Sequence, residues 1–226
     1  MISDIHSNLE AFEAVIANLP DYDELLCLGD LVGYGPQPNE VIERLSQLKP
    51  AAVLMGNHDY AVATGDTAGF ALHAAEAVEW TRKKIAAPNR EYLAELQPSA
   101  HLEKCGTRLG LFHGSPRDPL TEYVFPGLPR ATARELIESS RAAILLLGHT
   151  HMPMLYSFEK EMLGNPGSVG QPRDGDPRAS FATLIVSEGR ISFEVKRVEY
   201  DVEAVADKII RAGLPEFLAE RLYTGM

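Results

Sequence analysis

Apolar residues recur at helical spacing over 9–19, at Leu9, Phe12, Val15, Ile16 and Leu19, and Asn8 stands where its side chain would cap the first turn. Residues 25–28 read as a buried strand, 39–48 as a helix stopped by Pro50, and 51–55 as another strand. A long helix is predicted over 71–85 and a shorter one over 90–96, followed by apolar strands at 108–112 and 143–147. This alternation implies parallel pairing. Beyond His151 the period changes to two. Segments 154–158, 181–186 and 190–198 read as strands, with a turn at Glu188-Gly189 that suggests antiparallel pairing. From about Val202 the chain returns to helix, and Leu214, Phe217, Leu218 and Leu222 mark the core face of a closing helix. A βα-alternating half followed by a β-rich half predicts two facing mixed β-sheets flanked by helices. The fold class is therefore a mixed α/β four-layer αββα sandwich, with residues 1–226 as one domain.

Composition narrows the function classes. An apolar fraction of 45% and a charged fraction of 23% are ordinary for a folded globular chain. A net charge of -11, with no long Lys/Arg run to offset it, argues against general nucleic-acid binding, and Arg82-Lys83-Lys84 reads as a solvated helix face. No apolar run is long enough to cross a membrane and no signal-peptide pattern opens the chain, so a cytoplasmic location is expected. Cys27 and Cys105 each lie in apolar surroundings and are read as two buried, reduced thiols.

The chemistry concentrates in five short blocks. Five of the seven histidines occur in Asp4-x-His6, Asn57-His58-Asp59, His113-Gly114 and Gly148-His149-Thr150-His151, and Gly29-Asp30 is a fifth block without histidine. Each block comes directly after an apolar strand, and residues just past the carboxyl ends of such strands converge on one crevice. Carboxylate, imidazole and amide donors together suit Mn, Fe, Co, Ni or Zn better than Ca or Mg. The donors are too many for one tetrahedral ion, and a pair of ions roughly 3.5 to 4 Å apart needs a bridging carboxylate, for which Asp30 is the candidate. His73 and His101 fit plain helix-face and strand-face positions.

In this order, from Asp4 to His151, the blocks resemble the calcineurin-like metallophosphoesterase superfamily over most of the chain. The resemblance implies a first metal held by Asp4, His6 and His151, a second held by Asn57, His113 and His149, and Asp30 bridging them. It also implies that His58 protonates the leaving oxygen and that Asp59 holds the His58 ring by a hydrogen bond. Two divalent ions, Mn foremost, are the implied cofactor. One position departs from the family pattern: the residue after the first histidine, usually glycine, is Ser7. Only three residues precede Asp4, fewer than a usual core strand, so either the strand starts upstream of this numbering or it is short and leaves Asp4 weakly anchored.

Two divalent ions and two ligand carboxylates leave a net charge of about +2, which attracts a phosphoryl group despite the acidic chain. A water shared by the ions would lose its proton near neutral pH and attack in line. A small phosphorylated substrate, with a phosphodiester foremost, is the expected partner, and neither a nucleic-acid nor a membrane partner is. A phosphomonoesterase acting on nucleotides or phosphoproteins and a weakly active interaction scaffold are the alternatives. Loops 32–36 and 165–170 are candidates for substrate contact. Tyr34 would either stack on a base or pack over its loop, and Arg117 and Arg173, with Arg130 and Arg178, are candidates to grip phosphate.

Overall fold

The first helix forms where the periodicity put it. In the computed structural model, which describes residues 1–187 and 190–226, α1 (Leu9–Ala17) buries Ala11, Phe12 and Val15. The Asn8 side chain accepts the Ala11 N–H at 3.0 Å, which satisfies one donor that a helix start leaves open. Next come β1 (Leu26–Cys27), α2 (Pro38–Gln47), β2 (Ala52–Val53), α3 (Asn57–Thr64), α4 (Leu72–Lys84) and α5 (Ala87–Glu95). The chain continues through β3 (Ser99–Lys104), β4 (Thr107–Phe112), α6 (Arg130–Ser140), β5 (Ile144–Leu147), β6 (Met154–Ser157) and β7 (Met162–Asn165). It closes with β8 (Ala179–Ser187), β9 (Arg190–Val198), α7 (Val202–Arg211), α8 (Phe217–Glu220) and a 3-10 turn at Arg221–Tyr223. The turn expected at Glu188-Gly189 lies outside the described residues.

The periodicity missed α3 and α6. The eight residues of α3 carry no apolar stripe and are held by tertiary packing more than by their own pattern, whereas α6 buries Ala133, Leu136, Ile137 and Ser140 at the i, i+3, i+4, i+7 spacing of an amphipathic helix.

The strands form two layers. β1 and β2 pair in parallel, with Leu26 opposite Ala52. Ile2 bridges Cys27 on the other side of β1, and the Ala182 N–H donates to the Met1 carbonyl at 3.0 Å, which brings the β8–β9 hairpin alongside. The second layer has the order β3-β4-β5-β7-β6, parallel through β4, β5 and β7 and antiparallel at both edges. The sheets do not divide as the two halves of the sequence do: β8 and β9 complete the N-terminal layer, because the chain end near Met1 offers them an open edge.

Alternation along the strands divides the core. Leu26, Leu28, Leu109, Leu111, Ile144 and Leu146 fill the space between the layers. Their neighbours Leu25 and Cys27 turn outward to Phe12, Val41 and Leu45 of α1 and α2, while Leu145 and Leu147 turn outward to Leu136 and Ile137 of α6. The result is helix, sheet, sheet, helix. α4, α7 and α8 pack on one another beside Tyr34.

The fold corrects two expectations. Asp4 is firmly anchored: the Ile2 N–H donates to Leu26 O at 2.9 Å, the Leu28 N–H to Ile2 O at 3.0 Å and the Asp4 N–H to Gly29 O at 2.9 Å. Cys27 is buried, but Cys105 is exposed. It occupies the tight β3–β4 turn with φ +48, between Lys104 and Gly106.

Candidate metal centre

β1, β4 and β5 end side by side, and the residues just beyond them turn sharply into one crevice. Asp4, His6, Ser7, Asp30, Tyr34, His149 and His151 all have φ between 50 and 68. Non-glycine residues in this region carry roughly 1–3 kcal/mol of strain each and persist only where the surroundings hold them. The bracing is visible. The Asp4 carbonyl accepts the Gly170 N–H at 3.0 Å and the Ser168 hydroxyl at 2.7 Å. Asn165, at the end of β7, donates to Gly148 O at 2.7 Å and Thr150 Oγ1 at 3.1 Å. Segment 165–170, expected to contact substrate, thus fixes the backbone of the site. Asn165 and Ser168 were missed as site residues because only the fold brings them under Asp4 and Gly148.

The seven side chains singled out as metal donors come together. Asp4, His6, Asp30 and His151 form one group able to hold a cation, and Asp30, His113 and His149 form a second; within each, the donor atoms lie within 4.8 Å of one another and all are buried. Asp30 belongs to both. Its Oδ2 lies 3.6 Å from His6 Nε2 and 3.4 Å from His113 Nε2. Its Oδ1 is occupied by the His58 backbone N–H at 2.8 Å, so one carboxylate oxygen, not two, is free to be shared. Asn57 Oδ1 approaches His113 Nε2 at 3.2 Å and joins the second group.

The donor set fits a cation on its own terms. His6 Nδ1 faces Val32 O at 3.0 Å, His151 Nδ1 faces Gln171 O at 2.6 Å and His113 Nδ1 faces Leu28 O at 2.7 Å. Each of these nitrogens must therefore carry the proton, since a carbonyl only accepts, and the Nε2 lone pair is left facing inward. His6 Nε2 and His151 Nε2 are only 3.0 Å apart, and two lone pairs at that distance repel unless a positive charge lies between them. His149 is turned the other way, with Nε2 donating to Thr121 O at 3.1 Å and Nδ1 left for a ligand. Asp4 Oδ1 and Asp30 Oδ2 are buried without a hydrogen-bond partner among the described residues. A buried, unpaired carboxylate oxygen is costly without a compensating cation.

The electrostatics agree. Burial, opposed in part by the charge on His113, pushes the Asp4 carboxyl up to about 7. Burial drives His6 and His151 well below the usual imidazole range and His149 down to about 3. His113 is raised to about 9 although burial opposes it, because Asp30 sits against its ring. The Asp30 charge against that ring favours a positive charge in the cluster.

His58 and Asp59 open α3. The His58 ring packs against Tyr34 at 4.3 Å, His6 at 4.9 Å and Phe70 at 4.8 Å between centroids, and burial lowers it to about 4. The expected Asp59–His58 hydrogen bond does not form. Asp59 Oδ1 accepts the Val32 N–H at 3.1 Å and Oδ2 the Gly56 N–H at 2.9 Å. Asp59 therefore ties the Asp30 loop to the start of α3, while His58 Nδ1 is buried without a partner among the described residues. Two glycines make room for this arrangement: a Cβ on Gly56 would collide with Asp30 Oδ1, and one on Gly33, at φ +92, with His58 Nδ1.

Of the four candidate arginines, Arg173 is the one that reaches the site. It donates to the Tyr34 hydroxyl at 3.1 Å and to Gln171 Oε1 at 2.8 Å, and its guanidinium lies over the Tyr34 ring at 5.4 Å. Tyr34 is 9% exposed, so it packs over its loop instead of offering a free face. Arg117 does not join the cluster. It is paired with Glu122 on the surface. Arg178 is likewise paired with Asp176, and Arg130 lies over Phe158 and donates to Ser157 O. No helix among the described residues is long and apolar enough to cross a membrane.

Comparison with known proteins agrees with the fold and the clustered donors. The model of the calcineurin-like phosphoesterase superfamily domain matches residues 1–189. An uncharacterized protein of Methanocaldococcus jannaschii is 36% identical, with 100% of this chain and 97% of that protein covered. The phosphodiesterase YfcE of Escherichia coli is 29% identical over 80% of this chain and 84% of its own. The crystal structure of a metallophosphoesterase from Sphaerobacter thermophilus superposes with a TM-score of 0.85 at 32% identity, over 100% of this chain and 98% of that one. The chain belongs to the calcineurin-like phosphoesterase superfamily and is a metal-dependent phosphoesterase.

Proposed function

We propose that this chain, acting as one domain, hydrolyses a small phosphodiester with two divalent ions, Mn foremost, held by Asp4, His6, Asp30, Asn57, His113, His149 and His151. The observation that carries this reading is the single Asp30 oxygen facing both donor groups, 3.6 Å from His6 Nε2 and 3.4 Å from His113 Nε2. Bound there, such ions would neutralise phosphoryl oxygens and activate water. Arg173, anchored on Tyr34 and Gln171, adds a fixed positive charge beside the cluster.

His58 is the general acid in this reading. Its Nδ1 is unpartnered among the described residues and it lies next to His6. Burial keeps the ring neutral in the free protein, and an arriving anionic phosphoryl group supplies the charge that favours a proton on it. The diester preference is supported by the name of the E. coli relative, and a cytoplasmic location fits the lack of a membrane-crossing helix among the described residues.

The test is to strip the protein of metal and titrate Mn, Ni, Co, Zn and Mg. Turnover of bis-p-nitrophenyl phosphate and p-nitrophenyl phosphate is monitored while bound metal is counted. We expect two ions per chain, faster diester than monoester hydrolysis, and losses on the order of 100-fold or more in Asp30→Ala and His58→Ala. Monoester preference would replace the diesterase by a phosphomonoesterase. Wild-type turnover no better than that of Asp30→Ala with every metal would overturn hydrolysis altogether.

A further inference from the structure

Beside the cluster lies a pair of aromatic side chains that the metal chemistry does not use. Tyr123 stacks face to face on His149, with centroids 3.8 Å apart and planes at 26°. Phe125 continues the stack, 5.6 Å from Tyr123 and within 5° of parallel. Both are half exposed, at 49% and 53%, although an aromatic ring left in water forgoes much of its burial energy.

The loop that carries them is firmly built. Asp118 accepts the Leu120 and Thr121 N–H groups and the Thr121 hydroxyl. Ser115 and Arg117 both hold Glu122, and the Thr121 carbonyl receives the His149 ring N–H. Downstream, the Gly127 N–H donates to the Tyr156 hydroxyl, which itself donates to Leu128 O. Two exposed rings on a braced loop are preorganised for contact, not awaiting collapse. They also stand opposite the charged side of the site. Tyr34 and Arg173 lie on the His6 and His58 flank, and Tyr123 lies on the His149 flank.

We propose that Tyr123 and Phe125 form a stacking platform for a planar aromatic or heteroaromatic group of the phosphate ester, so that the preferred substrates are aryl- or nucleobase-bearing esters. The proposal rests on the phosphoesterase reading and adds the substrate class. A phosphoryl group at the metal cluster, gripped on one side by Arg173, leaves its organic substituent to extend over the His149 flank, where Tyr123 and Phe125 are both half exposed. Every nucleobase and aryl ring has a π-face, so such a platform selects planar groups without reading base identity. It takes the role that the sequence suggested for Tyr34, which the fold instead covers.

The test compares two probes on metal-loaded protein by calorimetric titration, methyl phosphate and phenyl phosphate, in the wild type, Phe125→Ala and Phe125→Trp. We expect the wild type to bind phenyl phosphate roughly tenfold more tightly than methyl phosphate. Phe125→Ala should reduce that preference to about threefold or less, Phe125→Trp should restore it, and methyl phosphate affinity should stay unchanged in all three. Phe125 is exposed and outside the metal donors, so folding is not at risk. An equal preference in wild type and Phe125→Ala would overturn the platform while leaving the phosphoesterase reading intact. Failure of the wild type to bind either probe with any of the metals would also overturn the platform, and turnover of bis-p-nitrophenyl phosphate would then decide the phosphoesterase reading separately.

Discussion

Asp59 shows how a single residue's role can be misread. The family resemblance implied an orienting carboxylate for His58, yet the two Asp59 oxygens accept backbone N–H groups from Val32 and Gly56. Asp59→Ala would leave two buried donors unpaired, each costing on the order of 1–3 kcal/mol. We expect a loss of about 2–5 kcal/mol in the unfolding free energy measured with urea. If Asp59 acted chiefly by holding His58, activity would fall with stability unchanged, and that outcome would contradict the assignment. His58 needs no such partner to be fixed, because Tyr34, His6 and Phe70 enclose its ring.

Elements place the chemistry. The donors stand at strand ends whose positions depend on the outer helices, and α1 is the clearest case. Phe12 is fully buried among Ile2, Ile5, Val15 and Phe181, so α1 braces the segment that carries Asp4 and His6. Phe12→Ala should cost about 3–5 kcal/mol, the range for a large aromatic removed from a packed core. The urea midpoint should drop with an unchanged slope. A change below about 1 kcal/mol would mean that α1 does not brace the strand as the packing indicates. Helix α3 acts differently. It has no apolar stripe, and its first turn delivers Asn57, His58 and Asp59 to the site.

At the scale of the whole molecule, the site concentrates liabilities that a cation would relieve. Two unpaired buried carboxylate oxygens, facing imidazole lone pairs and seven residues at positive φ lie in one crevice. A ligand that binds only the folded state stabilises it by about 2.7 kcal/mol at a hundred times its dissociation constant. For a chain of this size that corresponds to roughly 5–11 °C in Tm. Chelator-treated protein should therefore melt about that much lower than Mn-loaded protein in differential scanning calorimetry. Identical melting of the two forms would contradict a buried metal centre.

Sequence alone picked out the candidate blocks, because chemistry-bearing residues at the ends of apolar strands are a local pattern: a strand is recognised by its own run, and the residues just past it are read directly, while the sorting of those residues into metal donors came from the family resemblance. Asp4, His6, Asp30, His113, His149 and His151 were legible on that basis, as were α1 and strands β4 and β5. Tertiary structure decided the rest. It set Asp59 against backbone rather than His58, left Arg117 on the surface with Glu122, covered Tyr34, and exposed Cys105 at a turn. It brought Asn165, Ser168 and Thr121 under or beside the donors and joined β8 to the N-terminal layer. The physical reason is common to all of these. A donor's identity is fixed by its covalent chemistry, whereas its partner is fixed by which segments the packed layers bring within about 3 Å, and no local period encodes that.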